Sequence, residues 1–205
     1  MRTIGLIGGM SWQSSKLYYE RINQLVAERR GGATSAQIII NSLDFAPIAR
    51  MQTEGRWKDA GAHLANAAQA LERAGADVIA IGANTMHKVA SQVMASVHVP
   101  LIHIGDTLVA GLRGHARSRP LLLGTRYTME DPFMIDYLGD KGIGALVPDK
   151  TDRDALHAII YDELIKGVVT DKSRDTVLAM IEHSSAREAD SVIFGCTEIG
   201  MLFPS

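Results

Sequence analysis

The sequence predicts an α/β protein of two related halves, each built on a parallel sheet. Three observations lead there. Short apolar strands alternate with longer helical stretches along the whole chain. Glycines punctuate the strand ends at Gly8-Gly9, Gly82, Gly124 and Gly195. A ten-residue segment of the first half is echoed in the second.

Thr3 to Ile7 reads as the first strand, closed by Gly8-Gly9. A helix follows from about Ser14 to Arg29, with Leu17, Tyr18, Ile22, Leu25 and Val26 on one face. Gln37 to Asn41 is the next strand, Trp57 to Ala74 an Ala/Leu-rich helix, and Asp77 to Ile81 the third strand. A helix starts near Thr85, and Pro100 to His103 makes a fourth strand. The plan then repeats: strands at Pro120–Gly124 and Ala145–Pro148, helices at Asp152–Lys166 and Lys172–Glu188, and a strand at Ser191–Phe194.

Ala76 to Thr85 can be laid over Ala189 to Glu198, with Ala, Asp and Gly at the same offsets and mostly apolar strand residues between them. Gly8 and Gly124 close the first strand of each half at nearly the same offset. The boundary falls in the region 103–118, giving halves at residues 1–103 and 104–205. The same overlay makes Ala83 the counterpart of Cys196. Ligands of parallel α/β sheets bind beyond the carboxyl ends of strands, so the Ala83 loop and the Cys196 loop are expected on opposite walls of one cleft.

Of 205 residues, 46% are hydrophobic and 21% charged, with a formal net charge of −2; this is an ordinary globular composition with no basic field for nucleic acid. No apolar run is long enough to cross a bilayer, and the apolar stretch Thr3–Gly9 lacks the flanks of a signal peptide. A single cysteine forms no internal disulfide and fits a cytoplasmic protein. It also excludes Cys-x-x-Cys zinc sites, and the histidines show no i, i+4 pair, so no metal is expected. Gly5-x-x-Gly8-Gly9 has the wrong spacing for a dinucleotide fingerprint, and there is no Gly-Lys-Ser/Thr or Gly-x-Ser-x-Gly.

Cys196 stands where a strand turns into a helix, in Gly195-Cys196-Thr197-Glu198. A helix N-terminus offers unpaired N–H groups that lower a thiol's pKa and can hold a carboxylate, an arrangement suited to moving a proton at the adjacent carbon. A buried core cysteine is the alternative. Asn84-Thr85 is the matching loop, readable as carboxylate ligands or as a helix cap. Ser11 and Ser14, and Thr125 and Thr128, open helices in the same way. His87 and Lys88, in the first turn after Asn84-Thr85, are expected exposed and are minor candidates.

Asn84-Thr85-Met86-His87 and Gly195-Cys196-Thr197-Glu198 together resemble the paired signatures of the aspartate/glutamate racemase family. Gly8-Gly9-Met10-Ser11-Trp12, Tyr18-Tyr19 and Gly124-Thr125-Arg126-Tyr127-Thr128-Met129 extend the resemblance over essentially the whole chain, nearest to the bacterial branch acting on L-aspartate and L-glutamate. The resemblance implies two pseudo-symmetric Rossmann- or flavodoxin-like domains with the active site in the cleft between them, and a homodimer. It implies a small acidic amino acid as substrate and proton exchange at Cα without pyridoxal phosphate, metal or other cofactor. By the same resemblance Cys196 is the second-half acid/base, while Met10, Gln52, Asn84, Thr85, Thr125, Thr128, Thr197 and Glu198 are the substrate-binding set. A lysine of other members falls near Lys166, shifted by one relative to Gly167.

Two departures stand out. The family's first acid/base, usually Cys and in the nearest branch Thr, falls on Ala83, whose methyl group can neither take nor give a proton. Family members also continue past the position of Ser205 through another strand and helix. The readings left open are an impaired or one-sided racemase, a single-cysteine decarboxylase-like enzyme of the same superfamily, and a non-catalytic binding protein for acidic amino acids.

Overall fold

The computed structural model describes residues 1–185 and 187–203. Two compact units make up the chain, one over Met1–His103 and one beginning at Ile104. Each has its own sheet and core.

The first unit runs β1 (Ile4–Gly8), α1 (Trp12–Arg30), β2 (Ile38–Ser42), α2 (Phe45–Thr53), α3 (Trp57–Arg73), β3 (Val78–Ile81), a 3₁₀ turn over Thr85–Val89, α4 (Ala90–Met94) and β4 (Leu101–Ile102). Its strands pair in the order β2-β1-β3-β4, all parallel, as alternation with helices requires. Ile7, Ile79 and Ile81 pack against Leu64, Ala68 and Leu71 of α3, each such Leu or Ile contributing about 1.5–3 kcal/mol of burial.

Helix α1 departs from expectation. Ser14 and Ser15 are its buried residues, Tyr18, Ile22, Leu25 and Val26 are half-buried, and Leu17 is 51% exposed. The tight approach of its first turn to β1 explains the serines. A Cβ on Gly8 would lie 2.7 Å from Ser15 Oγ, and the Gly9 N–H donates to that hydroxyl at 2.9 Å. Helix α2 is not among the elements the sequence predicts; its signal is Asp44, whose side chain accepts from the Ala46 N–H and caps the helix.

The second unit runs α5 (Ile104–Gly114), β5 (Pro120–Leu123), α6 (Arg126–Glu130), α7 (Pro132–Gly139), α8 (Lys150–Ala158), a π turn over Ile159–Glu163, a 3₁₀ turn over Leu164–Lys166, α9 (Asp171–Ser185), β6 (Ser191–Phe194) and a 3₁₀ turn over Thr197–Leu202. Strands β5 and β6 pair in parallel, and the expected strand at Ala145–Pro148 is reduced to one parallel bridge, Leu121 to Leu146. Leu121 and Leu123 face a core with Leu156, Ile160 and Val177, while Leu122 faces the opposite side with Val109 and Met134. The helix expected over Asp152–Lys166 is α-helical only to Ala158; it winds through the π and 3₁₀ turns and stops at Gly167, whose φ is +77°. Helix α5 fills most of the region 103–118, so the division between the units precedes it.

The internal repeat extends to the hydrogen bonds. Ile4 pairs with Val78 and Ile7 with Ile81; at the corresponding offsets Pro120 pairs with Ser191 and Leu123 with Phe194. The Gly82 N–H donates to the Ile7 carbonyl at 2.9 Å, and the Gly195 N–H to the Leu123 carbonyl at 2.6 Å. The repeated aspartate does the same work twice. Asp77 Oδ2 accepts from the Thr3 N–H at 2.6 Å, and Asp190 Oδ2 from the Arg119 N–H at 3.0 Å. Ala83 and Cys196 therefore follow equivalent strands in equivalent register.

Candidate active site

In the first unit the chain leaves β3 through Gly82-Ala83-Asn84. Ala83 is half-buried against the core, and Asn84 and Thr85 are half-buried at the start of the 3₁₀ turn. The next two side chains turn inward. Met86 is fully buried, and Gln52, from the last turn of α2, donates through Nε2 to Met86 Sδ at 3.1 Å. Gln52 is thus brought to the Ala83–Met86 loop, and Met10 is buried in the same core.

His87 corrects the sequence expectation. It is buried, 4% exposed, because a 3₁₀ turn places it under the loop. Its Nδ1 lies 3.0 Å from the Ala83 carbonyl and its ring meets His103 edge-on at 4.8 Å. With Nδ1–H donating to that carbonyl, Nε2 is left as a buried nitrogen with no hydrogen-bond partner among the described residues. Burial, reinforced by the His103 ring, lowers its pKa to about 4, so the imidazole is neutral. Lys88 sits over the Trp57 ring, 4.3 Å from its centroid.

In the second unit two loops lie side by side at the ends of paired strands. After β5, Thr125 and Thr128 are both buried with their hydroxyls 3.4 Å apart. A Cβ on Gly124 would stand 3.0 Å from the Thr128 side chain, which is why a glycine precedes this pair. After β6 comes Cys196, half-buried and extended at φ −136°, ψ 128°. Its thiol donates to Glu198 Oε2 at 2.9 Å, and the Thr197 hydroxyl donates to the same oxygen at 3.0 Å. Glu198 itself is 6% exposed.

The electrostatics reverse the sequence expectation for the thiol. The Cys196 pKa is raised well above its ordinary value, first by burial and then by the neighbouring Glu198 carboxylate. The segment that follows is only a six-residue 3₁₀ turn, so it offers little dipole to oppose these effects. Cys196 at rest is a protonated thiol, a proton donor rather than a ready base.

Tyr161 completes the surroundings without any signal in the sequence. It packs on the Cys196 core from the π turn, and its pKa is pushed up to about 12 by burial, then by Tyr127, Cys196 and Glu198. His157 packs on Tyr161 at 4.6 Å and accepts from the Arg126 N–H at 3.2 Å. The Lys166 side chain is largely exposed, 3.9 Å from Asp162. A groove of about 460 Å³ along α5 and β6 holds none of the predicted site residues. Among the described residues, no group of three or more His, Cys, Asp or Glu is placed to hold a metal ion, and no helix is long and apolar enough to cross a membrane.

This fold is shared with solved proteins. A Yersinia pestis protein described as a candidate Asp/Glu racemase is 45% identical, with a TM-score of 0.92 over 100% of this chain and 90% of its own. An aspartate racemase homologue from Pyrococcus horikoshii is 32% identical, with a TM-score of 0.83 over 100% and 89%. An aspartate racemase from Picrophilus torridus, 19% identical with a TM-score of 0.76 over 100% and 84%, shares the fold. Residues 7–205 match the family model described as Asp/Glu/Hydantoin racemase. The chain belongs to the Asp/Glu/hydantoin racemase family.

Proposed function

We propose that this protein is a racemase-type isomerase acting on a small acidic amino acid, aspartate or glutamate, with Cys196 as its proton-transfer group and no cofactor. The observation that carries the reading is the pairing of Cys196 with buried Glu198 at the end of β6, in strand register equivalent to Ala83. Once its own proton has left, the Cys196 sulfur takes the proton from Cα as the Cα–H bond breaks; the electron pair stays on carbon, delocalised into the α-carboxylate, and a proton returns from the same sulfur. Asn84, Thr85, Thr125, Thr128 and Thr197 supply amide, hydroxyl and backbone donors for the carboxylates. Gln52 adds a side-chain amide next to the first loop, and Met10 is the apolar member of the set. A homodimer located in the cytoplasm accords with the resemblance and with the lone cysteine.

With alanine at position 83, one face of Cα has no proton-transfer group. The chain therefore exchanges Cα–H with solvent far faster than it inverts the centre. Converting Ala83→Thr or Ala83→Cys and following both enantiomers of glutamate and aspartate by chiral chromatography tests this. Inversion is expected to rise by roughly 10²–10⁴-fold, the usual contribution of an acid–base group; no inversion in either variant contradicts the racemase reading.

The resting protonated thiol favours a second reading, single-sided protonation of a carbanion left by decarboxylation. Carbon dioxide release from a disubstituted malonate, with no exchange of amino-acid Cα–H, would select it.

A further inference from the structure

We infer that Glu198 is the proton partner of Cys196: thiol and carboxylate hold one proton between them, and Glu198 stores it whenever Cys196 acts as a base. This rests on the proposed proton chemistry at Cys196.

The geometry carries the inference. A sulfur and a carboxylate oxygen 2.9 Å apart need a hydrogen between them, since thiolate and carboxylate at that distance would be two facing anions. Two arrangements have the same total charge. In one the thiol faces an ionised carboxylate; in the other the Sγ–H bond has broken, an Oε2–H bond has formed, and a thiolate faces a neutral acid. The Thr197 hydroxyl, 3.0 Å from the same Oε2, steadies the ionised form and makes the thiol the resting partner. Glu198 is buried, 6% exposed, so the sulfur is its near partner for the proton.

The consequence for turnover is specific. Once Glu198 holds the proton, the thiolate can take a second one from Cα. Sulfur and carboxyl then carry one proton each, and exchange between them and with solvent decides which returns to carbon. Without this partner the thiol's proton has no acceptor beside it and must pass to water before the sulfur can act as the base.

Other ionisable groups stand on the elements packed around the pair. Tyr161, facing it from the π turn, is neutral below about pH 12. The neighbouring 3₁₀ turn brings Lys166, beside Asp162, and α9 brings Arg174, which donates to the Leu202 carbonyl and pairs with Asp171. Glu163 is held by Ser173 and Thr170. Strand β6 contributes no ionisable side chain.

Cys196 is the chain's only cysteine and is half-buried, so alkylation by iodoacetamide reads its thiolate fraction without any substrate. For a coupled pair the wild-type rate should carry a flat region above the lower apparent pKa, where the minor thiolate arrangement is a fixed fraction, before it rises toward the upper one. In Glu198→Gln the flat region should vanish and the rate should climb about tenfold per pH unit up to a single pKa, lower than the upper wild-type one. Cα–H exchange of glutamate should fall roughly 10²-fold or more in the variant. Loss of the flat alkylation region together with slower exchange is a split that a merely structural role would not produce.

Superimposable alkylation profiles overturn the inference, whatever the exchange rates. A wild-type profile with one ordinary titration and no flat region overturns it too, and decides the matter if Glu198→Gln does not fold. A coupled profile with no exchange of aspartate or glutamate upholds the pair and overturns the substrate reading.

Discussion

Acid should weaken the first unit through one residue, His87. The buried imidazole titrates near 4, held down by burial and by His103, whereas in the unfolded chain it titrates near 6.5. Between these values the unfolded chain binds a proton that the folded chain refuses. Stability is therefore full above about pH 6.5 and is lost as pH falls toward 4. The gap corresponds to about 3 kcal/mol in full, of which about 2 kcal/mol is gone at pH 5. The comparison is urea unfolding of the wild type and His87→Asn at pH 7.5 and 5.0. Asparagine can place an N–H where Nδ1–H meets the Ala83 carbonyl, and it does not titrate. Both tryptophans, Trp12 and Trp57, belong to the first unit, so their fluorescence follows the unit that contains His87. The wild type should lose about 2 kcal/mol more than the variant on acidification. His157, whose pKa is also lowered by burial, lies in the second unit and is common to both proteins. Equal losses in the two proteins would refute a buried neutral His87.

Two further perturbations address the frame that presents the loops. Gly9→Ala would put a Cβ 2.1 Å from the Leu43 carbonyl oxygen at a φ of +84°; it should destabilise the first unit by about 3 kcal/mol or more, visible as an early tryptophan transition in urea. Asp190→Ala removes the acceptor of the Ser118 and Arg119 N–H groups at 2.8 and 3.0 Å; a loss of about 1–2 kcal/mol is expected in the second unit, measured by thermal unfolding followed by circular dichroism.

Strands β1, β3, β5 and β6 were legible because each is a short apolar run closed by glycine, and β6 falls on the span its residues indicate. The Ala83–Cys196 correspondence was legible for the same reason: the repeated Ala, Asp and Gly fix strand register, and register fixes the loop that follows. Helices α6 and α7 were not legible, because they span only five and eight residues and show no period of their own. Helix α1 shows the limit of pattern. Its apolar stripe is present, but two small serines form the buried contact because Gly8 and Gly9 bring the strand end so close. Within the site, residue types could be read from the sequence but electrostatic directions could not. Cys196 precedes a short 3₁₀ turn rather than a long helix, and the carboxylate two residues on folds back onto its sulfur. His87 is buried rather than exposed for a related reason: a 3₁₀ turn presents a different face from an α-helix at the same offset.

The central claim is that the Cys196 sulfur moves the Cα proton, and hydrogen–deuterium exchange measures it directly. L-glutamate and L-aspartate are incubated with the protein in deuterated water and the Cα–H resonance is followed by NMR. The wild type should wash out that proton with little formation of the D-enantiomer, and Cys196→Ser should slow the washout roughly 10²-fold or more. Washout that proceeds unchanged in Cys196→Ser, or no washout of either amino acid by the wild type, would contradict the account.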